Sequence, residues 1–125
     1  VFMNQVHGDK FHFVQSAADQ IPTCDALITT TPAINLAVQV ADCIPLLLAS
    51  SETVAAVHVG RKGLMNEVAL AAIQEMRSIG SMDITAVVGP SICGLCYEVS
   101  QEIYGKSVKE VQKFWRQVKK KIDNR

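Results

Sequence analysis

The chain has 125 residues, 49% of them hydrophobic, and its twelve basic residues cancel twelve acidic ones. That length and apolar content fit one globular domain with a single core, and the balanced charge excludes a global field for nucleic acid or an acidic membrane surface. Apolar runs stop short of the ~18 residues of a membrane-spanning helix and no signal-peptide pattern is present, so a cytoplasmic protein with neither nucleic acid nor membrane as partner is expected.

Short β-rich runs come first, at residues 11–14, 25–30, 36–40 and 45–49, each bounded by Pro, Asn, Asp or Ser turn chemistry. Residues 54–59 are almost wholly apolar, as in a strand covered on both faces, and Gly60 ends them. Leu64, Val68, Ala72, Met76 and Ile79 then recur at helical spacing, with Gly80 as the C-terminal cap. Residues 84–88 predict another strand, stopped by Gly89-Pro90, and "GPSICGLCYEVS" a loop. Ser107 with Glu110 makes a capping box for a last helix. Its apolar stripe is Val108, Val111, Phe114, Trp115, Val118 and Ile122, and it ends in Lys119, Lys120 and Lys121, which suit a helix C-terminus. Strands first, then strands alternating with helices, predict an α/β or α+β domain on a mixed sheet.

Several residues along this course are chemically out of place. His7 stands in "NQVHG" before a glycine that lets the backbone turn, and His58 closes an apolar strand. Cys43 follows Asp42 at a strand junction, whereas His12 sits in an ordinary alternating strand. Catalytic zinc takes three ligands from His, Cys and carboxylate and leaves a fourth position open. His7, Cys43 and His58 supply such a set only if the fold assembles it. Residue types alone leave two competing readings: a core cysteine with two satisfied histidines, and a hydrolase pair of Cys43 with His58 as base and Asp42 beside it.

Gly60, Arg61, Lys62 and Gly63 form "GRKG" between a strand and a helix, where free N–H groups and basic side chains attract anions. On the residues alone a solvated charged turn is the simpler reading there. Cys93 and Cys96 form a CxxC without a second CxxC, and are taken as loop thiols. With Cys24 and Cys43 they are expected to be reduced thiols or metal ligands rather than disulfides.

Together "NQVHG", "CDALIT", "VADCIPLLL", "AAVHVGRKGL" and "GPSICGLCYEV" resemble, in order and spacing, the YfiH family, also known as the laccase-domain or polyphenol-oxidase family and as multifunctional purine nucleoside enzymes. The resemblance implies a layered α/β/β/α sandwich with mixed sheets, related to the cytotoxic necrotizing factor catalytic domain. It also implies a zinc-dependent phosphorylase of adenosine, inosine or methylthioadenosine that deaminates adenosine too. By motif, His7, Cys43 and His58 would be the metal ligands, with zinc expected and copper the alternative. Gly60, Arg61, Lys62, Gly63 and Gln5 would bind phosphate and substrate. Where the family reads H-A-G-W-R-G, this chain reads "HVGRKG", so Arg61 replaces an aromatic wall and Lys62 replaces a planar guanidinium fork. Residues 1–125 are expected to be one such domain without the family's N- and C-terminal extensions. It could also be a shortened, partner-dependent relative that forms a homo-oligomer through its last helix.

Overall fold

The computed structural model describes residues 1–123, apart from the side chains of Phe114, Val118, Lys121 and Ile122 in the last helix. The chain divides into two compact units, Val1–Ile92 and Cys93–Arg125. The first unit contains strands β1 (Phe11–Phe13), β2 (Ala26–Thr29), β3 (Ile44–Ala49), β4 (Val54–Val59) and β5 (Thr85–Val88), with helices α1 (Arg61–Met65) and α2 (Val68–Ser78). The second carries the CxxC turn and helix α3 (Gln101–Asp123).

The five strands form one mixed sheet in the order β1-β2-β4-β3-β5, in which β1 and β2 are parallel and the other neighbours antiparallel. The architecture is therefore mixed α+β, as the pattern of runs implies. Side chains alternate across the pleat. Ala55, Val57 and Val59 of β4 join Ala26, Ile28 and Leu48 in one buried cluster with Val68, Ala72 and Met76 of α2. On the opposite face Leu27 packs with Met3, Val14 and Cys24. His58 falls between Val57 and Val59 and so points away from α2. Met76 is wholly buried, so Met76→Ala should cost about 2–5 kcal/mol, measured as a shift of the urea unfolding midpoint at unchanged slope.

Three expectations are corrected. Residues 36–40 form no strand, because the N-terminal segment takes their backbone groups: Ala37 N–H donates to the Val1 carbonyl at 2.9 Å, and Gln39 is held by both ends of the Gln5 amide. The helix expected from Leu64 to Ile79 is broken at Asn66-Glu67, where Glu67 takes a left-handed conformation with φ 64°. The break turns Gly63 inward and leaves Leu64 exposed. A Cβ at Gly63 would stand 3.1 Å from both the Gly8 carbonyl and Val68 Cγ1, so only glycine allows α1 to lie this close. Finally, α3 starts at Gln101, well before Ser107: the Ser100 hydroxyl accepts from Ile103 N–H and the Ser100 carbonyl from Tyr104 N–H.

The other end of α2 follows expectation. Gly80, at φ 102°, lies just past the cap. Its N–H donates to Arg77 and that of Ser81 to Met76, the paired bonds of a Schellman ending. Among the described residues no helix is long and apolar enough to cross a membrane. In α3, Val111 and Trp115 are exposed and Val108 half-buried, while Phe114, Val118 and Ile122 of the expected stripe lie outside the described side chains.

Candidate metal centre

Strand register gathers the start of β2, the start of β3 and the end of β4 at one end of the sheet, with Ala26 opposite Val57 and Pro45 opposite His58. Cys43 immediately precedes β3, and His58 is the penultimate residue of β4. The N-terminal segment is brought alongside by pairing Asn4 with Thr23, and this carries His7 to the same place. One ligand atom each from His7, Cys43 and His58 lies within 4.8 Å of the other two. The His7 Nε2 to Cys43 Sγ distance is 3.8 Å, and the two imidazole rings meet edge to face with centroids 4.7 Å apart. The set is graded in exposure, from exposed His7 through half-buried Cys43 to buried His58.

What organises the two histidines is Asp25, which residue types alone do not single out. Its carboxylate is wholly buried and accepts from His58 Nδ1 at 2.7 Å. It also accepts three successive backbone N–H groups, from Val6 at 3.2 Å, His7 at 3.0 Å and Gly8 at 2.8 Å. Such a nest of N–H groups is a built anion site, here filled by the protein's own carboxylate. It also accounts for the backbone of His7, whose φ of 59° is unusual for a non-glycine residue. Burial pushes the Asp25 carboxyl up, but the hydrogen bond from His58 and the three N–H donors outweigh it and hold the group below the ordinary carboxylate range. With Nδ1 of His58 fixed as donor, its Nε2 is left free as a base or ligand.

The other sequence candidates are placed differently. Asp42 is exposed and engages Ile92 N–H through its carbonyl, so the carboxylate beside His58 is Asp25 and not Asp42. Adjacency to Cys43 in sequence does not bring the Asp42 side chain to the imidazole. Gln5 spends its amide on the backbone of Gln39 at 2.7 and 2.9 Å and thereby fastens the loop that leads to Cys43. Arg61 is half-buried and Lys62 exposed at the start of α1. Gly60 gives the ligand side chains room: a Cβ there would stand 2.7 Å from His7 Cδ2 and 3.3 Å from Cys43 Sγ. Gly60→Ala should therefore displace the His7 ring while leaving the core intact. A loss of metal affinity of about tenfold or more is expected, read by competition with a chromogenic chelator, with an unchanged unfolding midpoint for the metal-free protein.

A thiol and two imidazoles, one of them backed by a carboxylate on its far nitrogen, suit a single transition-metal ion such as zinc or copper. The class defined by sheet and site is thus a mixed α+β protein with a prospective metal centre. Within that class the chain belongs to the family described as multi-copper polyphenol oxidoreductase laccase, whose model matches residues 1–125. It is 41% identical over 122 residues to a purine nucleoside phosphorylase of Streptomyces griseus, an alignment covering 92% of this chain and 50% of the relative. It is 43% identical over 104 residues to one of Mycobacterium tuberculosis, covering 79% and 42% respectively. Among solved structures, YfiH of Bacillus licheniformis matches with a TM-score of 0.77 at 31% identity, covering 85% of this chain and 45% of that one. YlmD of Geobacillus stearothermophilus matches with 0.76 at 26% identity, covering 87% and 45%. The chain spans about half the length of the curated relatives it matches.

Proposed function

We propose that this chain supplies the metal-binding part of a zinc-dependent purine nucleoside phosphorylase that cleaves adenosine, inosine or methylthioadenosine with phosphate and also deaminates adenosine. The observation that carries the reading is the convergence of His7, Cys43 and His58 within 4.8 Å, with Asp25 fixing the His58 ring. The names of the relatives supply the substrate class. His7, Cys43 and His58 would hold the ion, which when bound supplies Lewis acidity and an acidified water. Asp25 keeps His58 in one tautomer and orientation. Arg61 and Lys62, which open α1 directly after β4 and Gly60, would offer positive charge to phosphate, as separate point contacts rather than one bidentate clamp. In this proposal the two units make one domain of the family, acting in the cytoplasm, with α3 presenting Val111 and Trp115 to a second copy. Trp115→Glu should then convert a dimer to a monomer in light scattering.

The test is incubation of zinc-loaded protein with adenosine, with and without phosphate. Release of adenine only when phosphate is present marks phosphorolysis, and inosine marks deamination. Failure to form either product from metal-loaded protein would sink the reading. Copper remains the alternative because the family's description names it, and metal analysis of the purified protein separates the two. The Asp25–His58 pair also fits a thiol hydrolase with Cys43 as nucleophile. Activity that survives complete chelation would favour that second reading.

A further inference from the structure

Cys93 and Cys96 belong to the second unit and take no part in the metal centre. Both are exposed and reduced, and their Sγ atoms stand 3.3 Å apart. The Cys96 N–H donates to the Cys93 carbonyl at 3.0 Å and closes a turn over Gly94 and Leu95. Leu95 is fully solvent-exposed, and a Cβ at Gly94 would meet nothing within 4 Å, so no packing resists adjustment of the turn. A disulfide needs sulfurs about 2.05 Å apart, a little closer than the 3.3 Å seen here. The two thiols are also unequal. The hydrogen bond between the two sulfurs lowers the Cys93 thiol below its ordinary range and raises that of Cys96. An exposed, more acidic thiol beside a resolving partner is the arrangement of reversible thiol chemistry. By contrast Cys24 is buried against Met3, and burial pushes its thiol up.

We propose that Cys93 and Cys96 form a thiol–disulfide exchange site for low-molecular-weight disulfides, with Cys93 attacking and Cys96 resolving. The Cys93 thiolate attacks one sulfur of the incoming disulfide, forming a mixed disulfide and releasing one thiolate. Cys96 gives its proton to solvent and attacks the Cys93 sulfur, releasing the second thiolate. The protein dithiol is oxidised by two electrons, and the small disulfide is reduced to two thiols.

The probe is glutathione. The zinc-loaded full chain is equilibrated at a series of reduced-to-oxidised ratios, quenched with an alkylating agent and mapped by peptide mass. A reversible Cys93–Cys96 disulfide should accumulate as the ratio falls, with Cys24 and Cys43 unaffected. Cys96→Ser should trap glutathione on Cys93, and in the native dithiol early quenching should find the mixed disulfide on Cys93 rather than Cys96. A mixed disulfide found first on Cys96 in the native dithiol would overturn the proposal, as would the absence of the internal disulfide at every ratio. It would fail equally if the pair resisted oxidation by sharing a zinc ion between two chains, seen as extra zinc lost in the double Ser variant.

Discussion

Cys43→Ala is expected to abolish stoichiometric metal binding while leaving the fold in place. Of the three donors only the thiolate carries charge, and two neutral imidazoles without it make a poor site for zinc or copper. The loss should exceed the roughly 10- to 100-fold that removal of a supporting residue behind a ligand costs. Cys43 is half-buried at the entrance to β3 and belongs to neither buried cluster. Truncation should therefore change the stability of the metal-free chain by less than about 1 kcal/mol. Elemental analysis together with chelator competition measures the first effect, and urea unfolding in the presence of chelator the second. The Cys93→Ser, Cys96→Ser double variant is the matched control, expected to lose two exposed thiols and retain its metal. Unchanged metal content in Cys43→Ala would leave this residue as a packing or nucleophilic thiol.

The strands that bury themselves on α2 were legible because their residues form unbroken apolar runs, and β2, β3, β4 and β5 lie within or against the runs expected. The errors came where tertiary partners outweigh local pattern. Residues 36–40 have a strand's composition, but the Val1 carbonyl and the Gln5 amide reach them first. Leu64 fits the helical stripe by spacing, yet Gly63 is the residue that packs inward, where a Cβ would crowd the Gly8 carbonyl and Val68 at 3.1 Å. Ser107 and Glu110 have capping-box spacing, but Ser100 caps the helix earlier.

At the site, Cys43 and His58 stand out at the ends of apolar runs, and His7 through the glycine that follows it. Asp25 did not, since an aspartate before a strand reads as ordinary turn chemistry. The available signal was in "CDALIT": a strand buried at every position cannot begin with an unpaired carboxylate. Asp42 drew attention only through its adjacency to Cys43, and no local rule reveals which aspartate meets the imidazole.

Asp25→Asn should therefore be the most damaging single change at the site, acting on stability and metal affinity together. The native carboxylate accepts four hydrogen bonds, one from His58 and three from Val6, His7 and Gly8. Asparagine keeps the shape, but it loses the charge and turns an NH2 toward groups that are themselves donors. Each buried donor left without an acceptor costs about 1–3 kcal/mol, so the urea midpoint should fall markedly even without metal. Metal affinity should fall a further 10- to 100-fold as the His58 ring loses its orientation. The pH dependence gives an independent readout. Because Asp25 has a lowered pKa in the folded protein, its stabilisation is fully present above the ordinary carboxylate value near 3.8 and is lost as pH falls through the lower folded value. The wild-type stability curve should therefore drop in that acid range, and that part of the drop should be missing in Asp25→Asn. A variant that loses metal but keeps the wild-type acid limb would show that Asp25 positions His58 without holding the N-terminal segment in place.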